Sequence, residues 1–330
     1  MNKAIIMMAT YNGAMYLEKQ LDSILSQTYQ DWVLVVSDDH SDDTTRQILN
    51  RYKESDERMA EILIHRKTGG AYNNFFSLMY YVKKKYGDSF DYYFYCDQDD
   101  IWRPDKMETE IRILNENKGK AVLCFSDVEF IDGNGDKTGI CASSVRKMEV
   151  GNQYDYLFEF RYLLGTSMAH DKELWKRIIV PPKSLCAELR HDQYIRKYAA
   201  LFGRIIYIPD KLVLYRRHDR NVSGKLIDYD LISAIKKAVF KLPDILDHTA
   251  SHLFAAEVFL STIEDEKAIV SDYREAVKKN GIDAYRFLKK YNIEISDNRY
   301  EKMMYELLFV TGGYKLTRQY RKLKQTGKLF

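Results

Sequence analysis

Proline and glycine are scarce, five and 16 in 330 residues, which excludes a collagen-like or linker-rich chain. Cysteine is scarce too. Cys96, Cys124, Cys141 and Cys186 show no CxxC spacing and no companion histidine cluster, so neither a zinc site nor a disulfide framework is expected, only buried thiols in a reducing compartment. Neither sign of charge dominates: 51 basic and 48 acidic side chains leave +3, too little for a nucleic-acid footprint. No stretch approaches the roughly 18 uncharged apolar residues of a membrane span. The apolar run from Ala4 to Ala9, behind Met1-Asn2-Lys3, is too short for a signal peptide, so a cytoplasmic chain is expected. Gly-rich phosphate loops are also missing. No GxGxxG follows the first apolar run and no GxxxxGK(S/T) occurs anywhere, which counts against nicotinamide-dinucleotide enzymes and P-loop NTPases.

What is present is a core. Hydrophobic residues make up 45% of the chain, enough for one large domain or a domain with an appendage. Apolar runs at Ala4 to Ala9, Trp32 to Val36, Ile62 to Ile64, Tyr92 to Cys96 and Ala121 to Phe125 alternate with segments of helical period. Between Met15 and Gln27, for example, Leu17, Leu21, Ile24 and Leu25 share one face. Such alternation predicts βαβ units and an α/β fold, Rossmann-like, with a mostly parallel sheet flanked by helices. From about Tyr154 to Ser223 the pattern is mixed, and beyond Leu226 it is helical. Residues 1–225 are therefore expected to form the main domain and 226–330 a helical appendage.

In sheets of this kind ligands bind beyond the carboxyl ends of the strands. Three of those ends are polar: Thr10-Tyr11-Asn12 after the first run, Asp38-Asp39 after the second, Asp97-Gln98-Asp99-Asp100 after the fourth. An acidic rim of this kind repels itself unless a cation neutralises it, which points to a divalent ion and a phosphorylated ligand. Asp97 and Asp99, two apart on an extended segment, can reach one ion, and hard carboxylate oxygens suit Mg²⁺ or Mn²⁺. The same tetrapeptide also reads as an acidic turn in which Asp99 or Asp100 caps the next helix. In the segment 38–45, Asp43 or Thr44 caps a helix, while Asp38 or Asp39 can accept a pyrimidine N–H and Tyr11 can stack on the base.

Four segments occur in order: Ala9-Thr10-Tyr11-Asn12-Gly13, Leu25-Ser26-Gln27-Thr28-Tyr29, Val36 to Thr44, and Asp97-Gln98-Asp99-Asp100-Ile101-Trp102. Together they resemble the inverting family 2 glycosyltransferases of the GT-A fold, over about residues 3–225. Within that family the chain looks most like the rhamnosyltransferase-like branch of bacterial surface polysaccharide synthesis. The resemblance implies that Thr10, Tyr11 and Asp38, with Asn12 and Asp39 close by, hold the base and ribose. Asp97 and Asp99 would be the DxD element, with Gln98 between them and Asp99 the direct metal ligand. Asn73, or equally Asn74, would lie near the nucleotide, and Gly165-Thr166-Ser167 would line the acceptor side. Arg190-His191-Asp192 matches an acidic pair whose second member is the general base. Here His191 replaces the first acid, leaving Asp192 as the base and His191 to tune its charge or touch the acceptor. Tyr215 to Asn221 resembles a basic motif that closes over the diphosphate, with His218 a further metal ligand and Arg216 or Arg217 neutralising phosphate charge.

The implied reaction moves a sugar, L-rhamnose as the first candidate, from a dTDP- or UDP-linked donor to a saccharide or lipid-linked acceptor, with Mn²⁺ or Mg²⁺ as cofactor. Asp192 takes the acceptor proton in one displacement, and Trp102 and the loop near His218 help to exclude water. Two other readings stay open. A sugar nucleotidyltransferase would want a Gly-rich basic loop where this chain has Thr10-Tyr11-Asn12-Gly13; a carbohydrate-binding protein would keep the fold without turnover. The last twenty residues carry Lys315, Arg318, Arg321, Lys322, Lys324 and Lys328 and no acid, interleaved with Tyr314, Leu316, Tyr320, Leu323 and Phe330. They suit either an anionic membrane surface or a packing and oligomerisation face with solvated charges.

Overall fold

A computed structural model describes residues 4–65, 68–158, 163–184, 189–218, 242–265, 267–296 and 299–326. Cys186, the motif end Asp219 to Asn221, the expected helical start at Leu226, and Lys328 and Phe330 lie outside them. The chain divides into two compact units, one of residues 1–151, 162–184 and 191–222, the other of 152–161, 185–190 and 223–330. Two short inserts are thus grouped with the C-terminal helices.

The first unit holds a sheet of nine strands among the described residues: β1 (Ala4–Thr10), β2 (Trp32–Asp38), β3 (Met59–Ile64), β4 (Tyr92–Cys96), β5 (Ile101–Trp102), β6 (Val122–Ile131), β7 (Lys137–Cys141), β8 (Met168–Asp171) and β9 (Arg204–Arg216). Their order is β3-β2-β1-β4-β8-β6-β9-β5, with β7 added on β6. The helices are α1 (Ala14–Leu25), α2 (Thr45–Ser55), α3 (Ala71–Tyr86), α4 (Lys106–Glu116), the single turn α5 (Ala142–Val145), α6 (Lys172–Arg177) and α7 (His191–Phe202). On α1 the spacing of Leu17, Leu21 and Ile24 puts all three in the core, each burial contributing roughly 1.5–3 kcal/mol. The continuous apolar run of β1 is buried along its whole length, as a central parallel strand requires.

The sheet is mixed. Strand β1 pairs in parallel with β2 and β4, β2 with β3, and β6 with β9. The pairs β4–β8, β6–β8, β6–β7 and β5–β9 are antiparallel. These strands escaped the apolar-run pattern for physical reasons: β5 has two residues, β8 four, β7 is exposed, and β9 contains Pro209. From β1 the chain runs to β2 and β3 on one side and returns to β4 on the other, so the switch point lies at the β1–β4 pair. The register pairs Thr10 with Asp38 and Met8 with Cys96, which brings the three polar strand ends to one edge. Beneath it, Lys106 and Glu110 form a fully buried ion pair (2.6 Å), with the Lys106 ammonium 4.3 Å from the Trp102 ring centre.

The second unit is helical: α8 (Leu242–Ser261), α9 (Ala268–Lys279), α10 (Gly281–Lys290), α11 (Arg299–Thr311) and α12 (Arg318–Thr326), with 3₁₀ turns at Gln153–Leu157 and Gly313–Leu316. Tyr273 stacks on Phe287 (5.0 Å, 8°), and Phe158 packs near Tyr273 and Phe309. Asn152 joins this unit by donating to the Tyr291 and Asn292 carbonyls (2.7 and 2.8 Å), and Asp155 by accepting the Glu294 amide (2.8 Å). Among the described residues no helix is long and apolar enough to cross a membrane.

Candidate active site

At the end of β1 the Thr10 hydroxyl donates to Asp38 Oδ2 (2.9 Å) at the end of β2. Asp38 also accepts the Ser41 amide (2.9 Å) and hydroxyl (2.6 Å) and is fully buried. Asp39 accepts the backbone amides of Thr68 and Gly70 (3.3 Å for Gly70). Both carboxylates therefore shape loops, and Asp38 does not lie open to a base as the sequence reading expected. Asn73 and Asn74 separate clearly. Asn74 is buried, accepts from the Ser37 hydroxyl, and donates to the carbonyls of Thr10 (3.2 Å) and Ser37 (2.9 Å), joining β1 to β2. Asn73 instead accepts the Ser184 amide (3.0 Å).

Tyr11 exposes 46% of its surface, and its backbone is held by Gln98: the Tyr11 amide donates to Oε1 (2.8 Å) and its carbonyl accepts from Nε2 (2.9 Å). Gln98 was expected at the donor; its carboxamide is committed to this loop. Gly13 lies against Gln98, where a Cβ would collide with the carboxamide. Asn12, in the left-handed region (φ 47°), accepts the Asp42 amide (2.9 Å). One turn of backbone thus ties the end of β1 to both acidic loops.

Beyond β4 the carboxyl groups crowd. Burial, then the charges of Asp99 and Asp192, push the half-buried Asp97 from 3.8 up to about 8. Burial, then the charges of Asp99 and Asp97, push Asp100 well above the usual carboxylate range, and its Oδ1 accepts the Arg216 amide (3.0 Å). Asp99 Oδ2 lies 2.7 Å from His218 Nε2, and the Tyr16 ring stands 5.0 Å from the imidazole. Sequence reading grouped Asp97, Asp99 and His218 as ligands. The structure joins Asp99 to His218 with Asp97 alongside, but among the described residues no three His, Cys, Asp or Glu side chains gather around one point.

Two expected closing residues are fixed in the core instead. Arg216 is fully buried; its Nε donates to the Asp99 carbonyl (2.8 Å), its Nη1 to the carbonyls of Asp132 and Gly133 (3.1 and 3.2 Å), and its guanidinium carbon lies 4.6 Å from the Tyr16 ring centre. These bonds brace the acidic loop from behind. Arg217 is the more open neighbour, half-buried with its guanidinium 5.9 Å from the Phe130 ring. Trp102 is buried too: its backbone amide donates to Ser23 Oγ (3.0 Å), and its indole N–H donates to Thr166 Oγ1 (3.4 Å). The indole thus meets the Gly165–Ser167 turn expected on the acceptor side.

On the remaining side, the 3₁₀ turn Gly165–Ser167 packs on the first turn of α7. A Cβ on Gly165 would stand 2.6 Å from His191 Nε2 and 3.6 Å from Asp192 Cβ. The buried His191 ring stacks on Phe75 (3.8 Å, 21°) and lies 5.6 Å from Tyr95. Asp192 Oδ1 accepts the Gln193 amide (2.8 Å). Sequence reading missed the support behind this pair. Tyr95 Oη meets His170 Nε2 (2.8 Å), and burial holds His170 down to about 3, so it stays neutral. Phe75, Tyr95 and His170 carry no motif; along the chain they look like ordinary core residues.

Residues 5–174 match the family model described as Glycosyl transferase family 2. The dTDP-rhamnosyl transferase RfbG of Shigella flexneri is 32% identical over 228 residues, covering 67% of this chain and 75% of that protein. Among solved structures, S. aureus TarS 1–349 in complex with UDP-GlcNAc is similar with a TM-score of 0.57, over 95% of this chain and 83% of that one, at 15% identity. The mannosyltransferase PcManGT from Pyrobaculum calidifontis, in complex with GDP-Man and Mn²⁺, is similar with a TM-score of 0.50, over 98% and 84%, at 17% identity. The ordered motifs, the GT-A architecture and the match over half of the chain lead to one conclusion: the protein belongs to glycosyl transferase family 2 and is a glycosyltransferase.

Proposed function

We propose that the protein is a cation-dependent, inverting transferase that moves a sugar from a dTDP- or UDP-linked donor to a hydroxyl of a saccharide or lipid-linked acceptor in surface polysaccharide synthesis. L-rhamnose is the first candidate sugar, on the strength of the similarity to a dTDP-rhamnosyl transferase. The observation that carries the reading is electrostatic. Asp99 Oδ2 lies 2.7 Å from His218 Nε2 at the β4 end, and the Asp97 carboxyl beside it is acted on by the charges of both Asp99 and Asp192. Catalysis is assigned to the first unit, and cytoplasmic nucleotide sugar would supply it.

Asp99 and His218 would hold the cation. An Asp oxygen suits either Mn²⁺ or Mg²⁺, whereas an imidazole nitrogen favours Mn²⁺ of the two; such sites often use one or two protein groups completed by substrate phosphates. When bound, the cation offsets the charge of the departing diphosphate. The exposed ring of Tyr11, its backbone locked by Gln98, offers a face for the base. Asp192 takes the proton of the acceptor hydroxyl as that oxygen bonds to the anomeric carbon. The bond from that carbon to the diphosphate oxygen breaks with it, and a single displacement inverts the centre. Gly165 and the stacked His191 keep Asp192 in position.

Incubating the protein with dTDP-rhamnose and UDP-hexoses, with Mn²⁺ or with chelator, tests the proposal. Release of nucleoside diphosphate only with cation, abolished in Asp99→Ala and Asp192→Asn, is the expected result. Release of pyrophosphate would point to a nucleotidyltransferase instead, and binding without turnover to a carbohydrate-binding protein.

A further inference from the structure

Two helices of the second unit carry cationic faces tipped with apolar side chains. On α10, Ile282, Tyr285, Arg286 and Lys289 follow the i, i+3, i+4, i+7 spacing of one face, and all four are exposed. Ile282 exposes 56% of its surface, and the Lys289 ammonium lies 5.6 Å from the Tyr285 ring. On α12, Tyr320 and Leu323 are buried, and the Tyr320 hydroxyl and Lys324 ammonium both reach Glu257 (2.6 and 2.7 Å). That leaves Arg318, Arg321 and Lys322 exposed. Just before α12, Leu316 exposes 77% of its surface, and Arg321 Nη2 donates to the Leu316 carbonyl (3.0 Å), which fixes a guanidinium beside this apolar tip.

The start of α10 and the turn before α12 meet at one corner. Asn280 donates to the Phe309 carbonyl (2.9 Å), and its Oδ1 lies against Gly312. Lys315 donates to the carbonyls of Val277 and Lys278 (3.1 and 3.0 Å). Lys278, Lys315, Arg318, Arg321 and Lys322 are thus carried by the elements that meet at this corner, together with Leu316 and, one residue past Gly281, Ile282. Among the described residues the acids near the corner are Asp283, half-buried, Glu275, which is paired with Lys279, and Glu257, which is paired with Lys324. No acid follows Glu306 in the sequence.

We infer that this corner docks on an anionic lipid bilayer. Leu316, Ile282 and Tyr285 enter the headgroup region, while the surrounding Lys and Arg meet lipid phosphates. Charge complementarity selects the occupant: scattered apolar tips set among cations match an anionic interface, not the continuous apolar face a protein partner would need. The inference does not rest on the donor chemistry proposed above.

The test is sedimentation of the full chain with phosphatidylcholine vesicles and with vesicles containing phosphatidylglycerol. Binding to the anionic vesicles alone is expected. Leu316→Asp and the double variant Arg318→Glu/Arg321→Glu should each weaken it about tenfold or more, with an unchanged melting temperature. The control Lys172→Glu/Lys176→Glu, on the first unit, should bind like the parent. Equal binding to neutral vesicles, undiminished binding by both corner variants, or an equal loss in the control overturns the inference. So does a corner variant that loses binding to a duplex oligonucleotide while keeping the vesicles.

Discussion

Replacing Gly165 by Ala tests how Asp192 is held. The added methyl would stand 2.6 Å from His191 Nε2. Since non-bonded contacts settle near 3.5–4.0 Å, the imidazole must retreat by about 1 Å. It has little room, because it is buried and stacked on Phe75 at 3.8 Å. The shift passes to the first turn of α7, where Asp192 follows directly. A displacement of about 1 Å at a reacting group costs about 100-fold in rate, or ~2.7 kcal/mol of barrier, and the overpacking itself about 1–3 kcal/mol of stability. Steady-state transfer with saturating donor and acceptor, beside calorimetric binding of nucleoside diphosphate, separates the two effects. The expected result is a kcat about 100-fold down with nucleotide affinity unchanged. Because His191→Ala removes the clash, the double variant should lose little beyond His191→Ala alone. A parental kcat in Gly165→Ala, or full additivity in the double variant, would refute the reasoning.

Asp97 makes stability pH-dependent when no divalent cation is present. Its folded value of about 8 lies above the ordinary 3.8, so between those values the folded chain keeps a proton that the unfolded chain has released, and stability falls as pH rises across that window. Asp97→Asn should remove this slope and gain on the order of 1–3 kcal/mol at pH 8, discounted for partial exposure; urea midpoints in chelator from pH 5 to 8.5 check it, and parallel profiles would sink the idea. Lys106→Met strands the buried Glu110 and should cost about 3–5 kcal/mol in urea unfolding, whereas a loss within error would mean that the pair contributes nothing. His218→Ala should weaken Mn²⁺ binding about tenfold or more by titration without lowering the melting temperature, and unchanged affinity would remove His218 from the cation site. Arg216→Ala should lower the melting temperature by several degrees, about 2 kcal/mol or more, because three backbone carbonyls lose their donor; a change confined to KM for the donor would restore it to phosphate binding.

The order of elements and the acidic strand ends were legible because they are local. Period-two and period-3.6 patterns appear in any buried strand or half-buried helix, and carboxylates at strand ends stand out against apolar runs. That is why β1, β2, β3, β4, α1 and the Asp97–Asp100 segment could be read from residue types alone. The second half of the sheet could not. Strands β5, β7, β8 and β9 are short, exposed or broken by proline, and their pairing partners lie far along the chain. The division into units was hidden for the same reason, since Asn152 and Asp155 join the C-terminal helices through hydrogen bonds that composition does not show.

By itself, then, the order of residues determined that acids, a tyrosine and a basic motif would be available to a nucleotide sugar. Only the tertiary structure decided which of them face outward. Arg216, Trp102, Asp38 and Gln98 have the chemistry of ligand-binding groups, yet each is held by neighbours at distances from 2.6 to 3.4 Å. Phe75, which carries no such signal, packs with Gly165 and His191, both expected on the acceptor side, around the first turn that bears Asp192. The reason is that a side chain's role depends on which of its hydrogen-bonding directions remain open after packing. Much of that packing is set by contacts between residues tens to more than a hundred positions apart, and such contacts leave no period in the sequence.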